Sequence, residues 1–200
     1  MKNNWLQKIS NSYLGQPSET ALQWYAPTQI GDYSTIYQSK DIPWVFLGSA
    51  SMEDIEQVQQ MAGKPVCIRY DLTDANTNSL PVTSYKYRFP ELPVWDDNAY
   101  NAVSKYFREA VNNLVNLIMS HRCPIYVHCT AGANRSVSIL AAALSKITGK
   151  SIFDVLREIK NQRGLASPHD AYVMMALDSS DNPQDLQIKP TVQQKLNLKN

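Results

Sequence analysis

The sequence predicts an α/β domain with a central mixed sheet of about five strands flanked by α-helices. Three observations point to that class. Short apolar stretches near residues 42, 66, 86 and 123 alternate with longer segments of helical period. Capping residues and glycines fall at the joints between them. The chain has 200 residues, 44% of them hydrophobic and 18% charged, which suits one domain with a real core.

Residues 1–41 are polar, contain Trp5, Trp24, Tyr25, Tyr33 and Tyr37, and show no sustained period, so they read as an N-terminal extension with aromatic anchors. IPWVFLGS (42–49) is a strand closed by Gly48. Ser51, with Asp54 three residues on, caps a helix that carries Ile55, Val58 and Met61 on one face and stops at Gly63. KPVCIRYDL (64–72) is a buried strand, and after a loop YKYRFPEL (85–92) alternates as a second strand, ended by Pro90 and Pro93. From about Asn98 a long helix follows, because Val103, Phe107, Ala110, Val111, Leu114, Leu117 and Ile118 share one face.

CPIYVHC (123–129) is the strongest strand, and the run after Arg135 is a buried helix ending at Gly149. Two more helices open at Ser151, with Asp154 three residues later, and at Ser167, with Pro168 in the first helical position. Beyond about Asp178 the chain is polar and is expected to fray. The expected organisation is an extension over 1–41, a main folded domain over 42–178 and a polar tail over 179–200.

Composition narrows the function. A net charge of +1 and a pI near 7.7 do not describe a generally basic nucleic-acid binder or a polybasic membrane patch. Cys67, Cys123 and Cys129 are too few for a disulfide framework, none forms a C-x-x-C pair, and a reducing compartment fits. The N-terminus lacks the apolar core of a signal peptide, and no stretch approaches the ~20 apolar residues of a membrane span. The expectation is a soluble cytoplasmic protein.

The chemistry is concentrated in VHCTAGANRS (127–136), a strand–loop–helix junction. Helix N-termini offer unpaired N–H groups and the positive end of the macrodipole, which together attract an anion. Ala131, Gly132 and Ala133 are small enough to let the loop curl so that successive N–H groups converge; Thr130 and Asn134 complete the cradle. Arg135 can add two parallel hydrogen bonds to two phosphate oxygens. Cys129, on the floor of that cradle, shares the same field, and helix N-termini and cations can bring a cysteine pKa from about 8.5 to roughly 3.5–7.5. A thiolate and an arginine six residues apart across small side chains are what in-line attack on a phosphate monoester requires.

At these residues the sequence resembles the dual-specificity phosphatases, a family of cysteine-dependent protein phosphatases whose signature H-C-x-x-G-x-x-R-S is met by His128, Cys129, Gly132, Arg135 and Ser136. The resemblance runs from about Ile42 to about Leu177. It implies that Cys129 attacks phosphorus to give a cysteinyl-phosphate and that Ser136 assists departure of the thiolate when water hydrolyses it. No metal and no cofactor are implied. A general acid is also implied, about 30 residues upstream, where PVWDDNAY offers Asp96 and Asp97. Asp97 is preferred, because aligning YFREA (106–110) with the corresponding helix of family members, and Trp95-Asp96-Asp97 with the W-P-D loop of tyrosine-specific relatives, gives the same residue. The other carboxylate then only favours the helix dipole.

His128 lies one residue before the nucleophile and so points to the other face of an extended strand; it reads as support for the loop, not as an acid or base. His121 and His169 read as surface or capping residues. Cys67 reads as an inert core thiol, the alternative implied by the resemblance being a protective disulfide with Cys129. Cys123 is too far along the strand to bridge to Cys129.

The uncharged Thr130, Ala131, Ala133 and Asn134 disfavour inositol lipids, whose phosphatases in this superfamily carry lysines there. The leading reading is a phosphoprotein substrate carrying phosphotyrosine, phosphoserine or phosphothreonine, with no obligatory nucleic acid and no membrane. Asn134-Arg135 is also found in the RNA 5′-triphosphatase branch, where Thr-Gly follows in place of Ser136-Val137; that branch is the runner-up, and a catalytically silent phosphate-binding scaffold is the third reading. The N-terminal extension is a candidate surface for homodimer formation.

Overall fold

The computed structural model describes residues 31–32, 34–73, 82–89 and 97–195, with backbone alone at 97–99 and 191–195. Trp5, Trp24, Tyr25, Tyr33 and Asp96 lie outside the described residues. The centre is strand β5, Ile125–His128, buried along its whole length. Around it the sheet runs β1 (Tyr37–Gln38), β2 (Val45–Gly48), β5, β3 (Ile68–Asp71), β4 (Thr83–Lys86). β2, β5, β3 and β4 are parallel and β1 is antiparallel to β2, so the sheet is mixed as the sequence predicts.

Register sets where the site can be. Gly48 and Asp71 both pair with His128, so three parallel strands end at one level and the residues after them share one rim. In open α/β sheets, ligands bind at that carboxyl edge.

Six helices complete the described residues: α1 (Met52–Ala62), α2 (Asp97–Ser120), α3 (Arg135–Thr148), α4 (Ile152–Gln162), α5 (Asp170–Asp178) and α6 (Pro183–Lys195). The caps are those the sequence signals. The Ser51 and Ser151 hydroxyls accept from the Asp54 and Asp154 N–H groups at 3.1 Å, and Gly63 and Gly149 close α1 and α3 in the left-handed region. Strand alternation divides the core in two. Val45, Leu47, Ile68, Tyr70, Ile125 and Val127 face the large cluster with α2, α3 and α5, while Phe46 and Tyr126 face a small one with Ile55 and Val58 of α1.

Four expectations are revised. β1 lies inside the supposed extension: it is two residues long, too short for a periodic signal, and is held by Tyr37 Oη donating to Glu158 Oε1 at 2.8 Å and by its ladder to β2. β4 occupies 83–86 instead of 85–92, because β3 ends at Asp71, opposite Lys86. α5 starts at Asp170, not at Ser167, because the Ser167 N–H is engaged by the Ala133 carbonyl at 2.7 Å. The supposed tail carries α6. Its Asp185 is fully buried, with both carboxylate oxygens 3.0 Å from the Ile152 N–H and Oδ2 accepting from Ser180 Oγ at 2.6 Å.

Asp185 therefore joins α6 to the start of α4. Replacing it with alanine strands the Ile152 N–H and the Ser180 hydroxyl, and a buried unsatisfied group costs about 1–3 kcal/mol. Asp185→Ala is expected to lower the unfolding free energy by that order in urea denaturation, while an exposed neighbour, Gln184→Ala, leaves it nearly unchanged.

Candidate active site

β5 delivers His128 and Cys129 to the rim on opposite faces, and the chain then turns through Thr130–Asn134 into α3. Gly132 sits at φ +65, and a Cβ there would lie 2.1 Å from the Gly48 carbonyl oxygen, so only glycine fits.

What shapes the loop is the fate of its carbonyls. Cys129 O is 3.3 Å from His128 Nδ1, Thr130 O accepts from the Ala50 N–H at 3.0 Å, and Ala133 O accepts from Ser167. Arg163, following α4 and 1% exposed, donates from Nη2 to Ala131 O at 2.8 Å and from Nε to Gly132 O at 3.0 Å. Its Nη1 donates to the Ser34 and Thr35 carbonyls at 3.2 and 2.8 Å. In a trans peptide the C=O and the following N–H point opposite ways. With the carbonyls of 129–133 bound on the outside, the N–H groups of 130–134 turn inward, which makes the cradle. Sequence reasoning missed Arg163; its place just after an amphipathic helix carries no motif.

Cys129 is 2% exposed, and Ser136 Oγ donates to its sulfur at 3.2 Å. Burial opposes ionisation. The Ser136 hydroxyl and N–H, the Arg135 charge and the Asn134 N–H outweigh it, so the thiol titrates below its ordinary range. Arg135 is buried, with Nη1 donating to the Phe89 carbonyl at 3.1 Å and Nη2 to Thr130 Oγ1 at 3.3 Å. Asn134 turns its carboxamide away from the loop: Oδ1 accepts from the His169 N–H at 2.8 Å and so caps the approach to α5. Asp97 is the first residue of α2; its side chain lies outside the described residues, as does all of Asp96.

His128 supports the loop from the opposite face. Arg69 Nε donates to its Nε2 at 2.7 Å, which makes Nε2 the acceptor and leaves the ring proton on Nδ1, facing the Cys129 carbonyl. The Asp71 carboxylate stands 3.9 Å from His128 Nε2, 3.9 Å from Arg69 and 3.7 Å from Lys86. Burial, only partly countered by Asp71, lowers the His128 pKa to about 4. His121 is exposed with Nδ1 3.0 Å from the Leu117 carbonyl, and His169 precedes α5.

Cys67 is exposed, not a core thiol. Its N–H bonds the Pro124 carbonyl, so it lies level with a residue five positions before Cys129. At ~3.3 Å per strand residue that separation is about 16 Å, well beyond disulfide reach, and the Cys67–Cys129 bridge is excluded.

A sequence model described as "Dual specificity phosphatase, catalytic domain" matches residues 45–181. Human dual specificity protein phosphatase 9 is 29% identical over 140 residues, which cover 68% of this chain and 34% of that protein. Human dual specificity protein phosphatase 2 is 26% identical over 132 residues, covering 66% and 40%. The chain thus spans about a third of the length of the curated relatives it matches. Among solved structures, human DUSP28 superposes with a TM-score of 0.56 at 18% identity, covering 78% of this chain and 99% of that one. DUSP15 does so with 0.54 at 22%, covering 78% and 95%. These last likenesses concern the fold.

Two outcomes follow from the cradle's supports. His128 must stay neutral when folded but takes a proton near pH 6.5 when unfolded, so the unfolded state binds more protons between the two values. Stability should fall as pH drops from 6.5 toward about 4 and then level, a loss of up to about 3 kcal/mol; in His128→Asn that portion of the pH–stability curve, measured by urea denaturation, should flatten. Arg163→Met should lower stability by about 2–4 kcal/mol through stranded carbonyls, and it should reduce kcat as well, since the cradle's N–H groups lose their fixed direction.

Proposed function

The chain belongs to the dual-specificity phosphatase family, and from that membership we propose that it hydrolyses phosphate monoesters on proteins, phosphotyrosine and phosphoserine or phosphothreonine, through a cysteinyl-phosphate intermediate. The observation that carries this reading is the buried Cys129 sulfur, 3.2 Å from the Ser136 hydroxyl that donates to it, at the start of a loop whose carbonyls are held by Arg163, the Ala50 N–H and the Ser167 N–H.

The thiolate attacks phosphorus in line, the bond to the leaving oxygen breaks, and Asp97 supplies the proton that oxygen takes. The amides of 130–134 and Arg135 bind the three non-bridging oxygens, whose charge spreads in a loose transition state. In the second step water adds to phosphorus, its proton passes to the Asp97 carboxylate, and the S–P electron pair returns to sulfur, stabilised by the Ser136 hydroxyl. Arg135 reaches into the cradle from a fixed base, since the Phe89 carbonyl already holds Nη1. Asp97 enters through the family resemblance and its position at the start of α2.

The uncharged loop side chains support a phosphoprotein over an inositol lipid. Asn134, the residue shared with the RNA 5′-triphosphatase branch, points at His169 and not into the cradle, which leaves that branch without support from this residue. Cytoplasmic location is part of the same reading; among the described residues no helix is long and apolar enough to cross a membrane.

With p-nitrophenyl phosphate, Cys129→Ser is expected to abolish turnover and Asp97→Ala to lower kcat by about 10²- to 10⁴-fold. Asp96→Ala should have much less effect. Phosphopeptides should be hydrolysed in preference to triphosphorylated RNA. A wild-type rate equal to that of Cys129→Ser would mean a silent scaffold.

A further inference from the structure

The pole of the sheet opposite Cys129 holds a second sulfur site. β3 and β5 are adjacent and parallel with Ile68 opposite Ile125, and just before them the Cys67 N–H donates to the Pro124 carbonyl at 2.9 Å. That bond brings the segment through Cys67 beside the one through Cys123. The Cys67 thiol donates to the Pro65 carbonyl at 3.8 Å. Cys67 is exposed and Cys123 partly so. Burial, and after it the neighbouring Cys67 thiol, raise the Cys123 pKa to about 11 against a smaller opposing effect of Lys64. Lys64 and Pro124 also line an open cleft of about 300 Å³ at this pole.

The backbone bond from Cys67 to the residue after Cys123 places the two cysteines on directly neighbouring segments, one thiol exposed and one half-exposed, and a disulfide asks only for Cα atoms about 4.4–6.8 Å apart. We propose that Cys67 and Cys123 form an oxidisable dithiol that hydrogen peroxide closes to a disulfide, separate from the catalytic thiol. Cys67, the exposed member, reacts first: its sulfur attacks a peroxide oxygen, the O–O bond breaks, and a sulfenic acid and one water result. The Cys123 sulfur then attacks the sulfenic sulfur, the S–O bond breaks, S–S forms and a second water leaves. The two thiols lose two electrons and two protons, and one peroxide is reduced to two waters. The bridge joins the starts of β3 and β5, a strand length away from the cradle.

The test uses the full-length chain carrying Cys129→Ser, which removes the catalytic thiol. Peroxide treatment followed by alkylation in denaturant should leave neither remaining cysteine alkylated. The intact mass should fall by two hydrogens, and one proteolytic product should contain both cysteines joined until dithiothreitol is added. The linked form should melt at a higher temperature than the reduced form. Cys123→Ser added to that background should remove the linked product and the thermal shift, leaving oxygen adducts on Cys67; Cys67→Ser should remove both without such adducts. Cys67 is exposed and Cys123 packs against the edge of the core, so alanine at either position serves if serine perturbs folding. Full alkylation after peroxide, or oxygen adducts on Cys67 and Cys123 with no linked product, would overturn the proposal.

Discussion

The cradle depends on turning a run of backbone carbonyls away from its centre. A short loop of small residues has no intrinsic reason to aim its N–H groups at one point, because each peptide plane can rotate. Here every carbonyl from Cys129 to Ala133 has an outside partner, and the partners come from different parts of the chain: the His128 ring, the Ala50 N–H after β2, Arg163 after α4 and the Ser167 N–H before α5. The cradle is thus assembled by the whole domain. Arg163 contributes most, since one rigid guanidinium holds two loop carbonyls and also those of Ser34 and Thr35, with the Asp54 carboxylate 4.0 Å away as a counter-charge.

Strand alternation then separates two electrostatic environments across β5. On the α3 face the sulfur of Cys129 is stabilised as an anion by N–H groups and Arg135; on the α1 face His128 is kept neutral. Neutrality is what makes the histidine useful. Receiving Arg69 at Nε2 fixes the proton on Nδ1, and a fixed Nδ1–H can hold the Cys129 carbonyl. Tyr126, stacked on the ring with centroids 5.4 Å apart, limits its rotation, and the Tyr126 hydroxyl donates to the Ser49 carbonyl at 2.5 Å. A small set of contacts on one face therefore sets the backbone on which Cys129, the proposed nucleophile on the other face, depends.

These observations also show what a sequence can disclose. β2, β3, β5 and helices α1 to α4 were legible because burial imposes period and caps impose residue types, and Ser51, Ser151, Gly63 and Gly149 each do locally what their chemistry implies. Cys129, Arg135 and Ser136 stood out because the chemistry proposed for them needs fixed spacing. Arg163, Arg69 and Asp185 did not. Each is a charged residue whose burial is decided by partners far along the chain, and in the sequence they look like ordinary solvated positions. The late start of α5 has the same origin, for Ser167-Pro168 carries a good start signal that the bond from Ser167 to Ala133 overrides.

One further link joins the cradle to the segment that leads toward Asp97. Phe89 is fully buried among Tyr106, Phe107 and Tyr172, with ring centroids 4.9, 6.2 and 6.4 Å away, and its carbonyl receives Arg135 Nη1. Tyr106 and Phe107 belong to α2, the helix that Asp97 opens, and Tyr172 belongs to α5. A single aromatic cluster thus fixes Phe89 and α2 together with the carbonyl that holds Arg135, the arginine proposed to bind phosphate. Moving the helix that carries Asp97 would therefore disturb the packing that positions Arg135, so the proposed phosphate-binding and proton-donating residues depend on the same core.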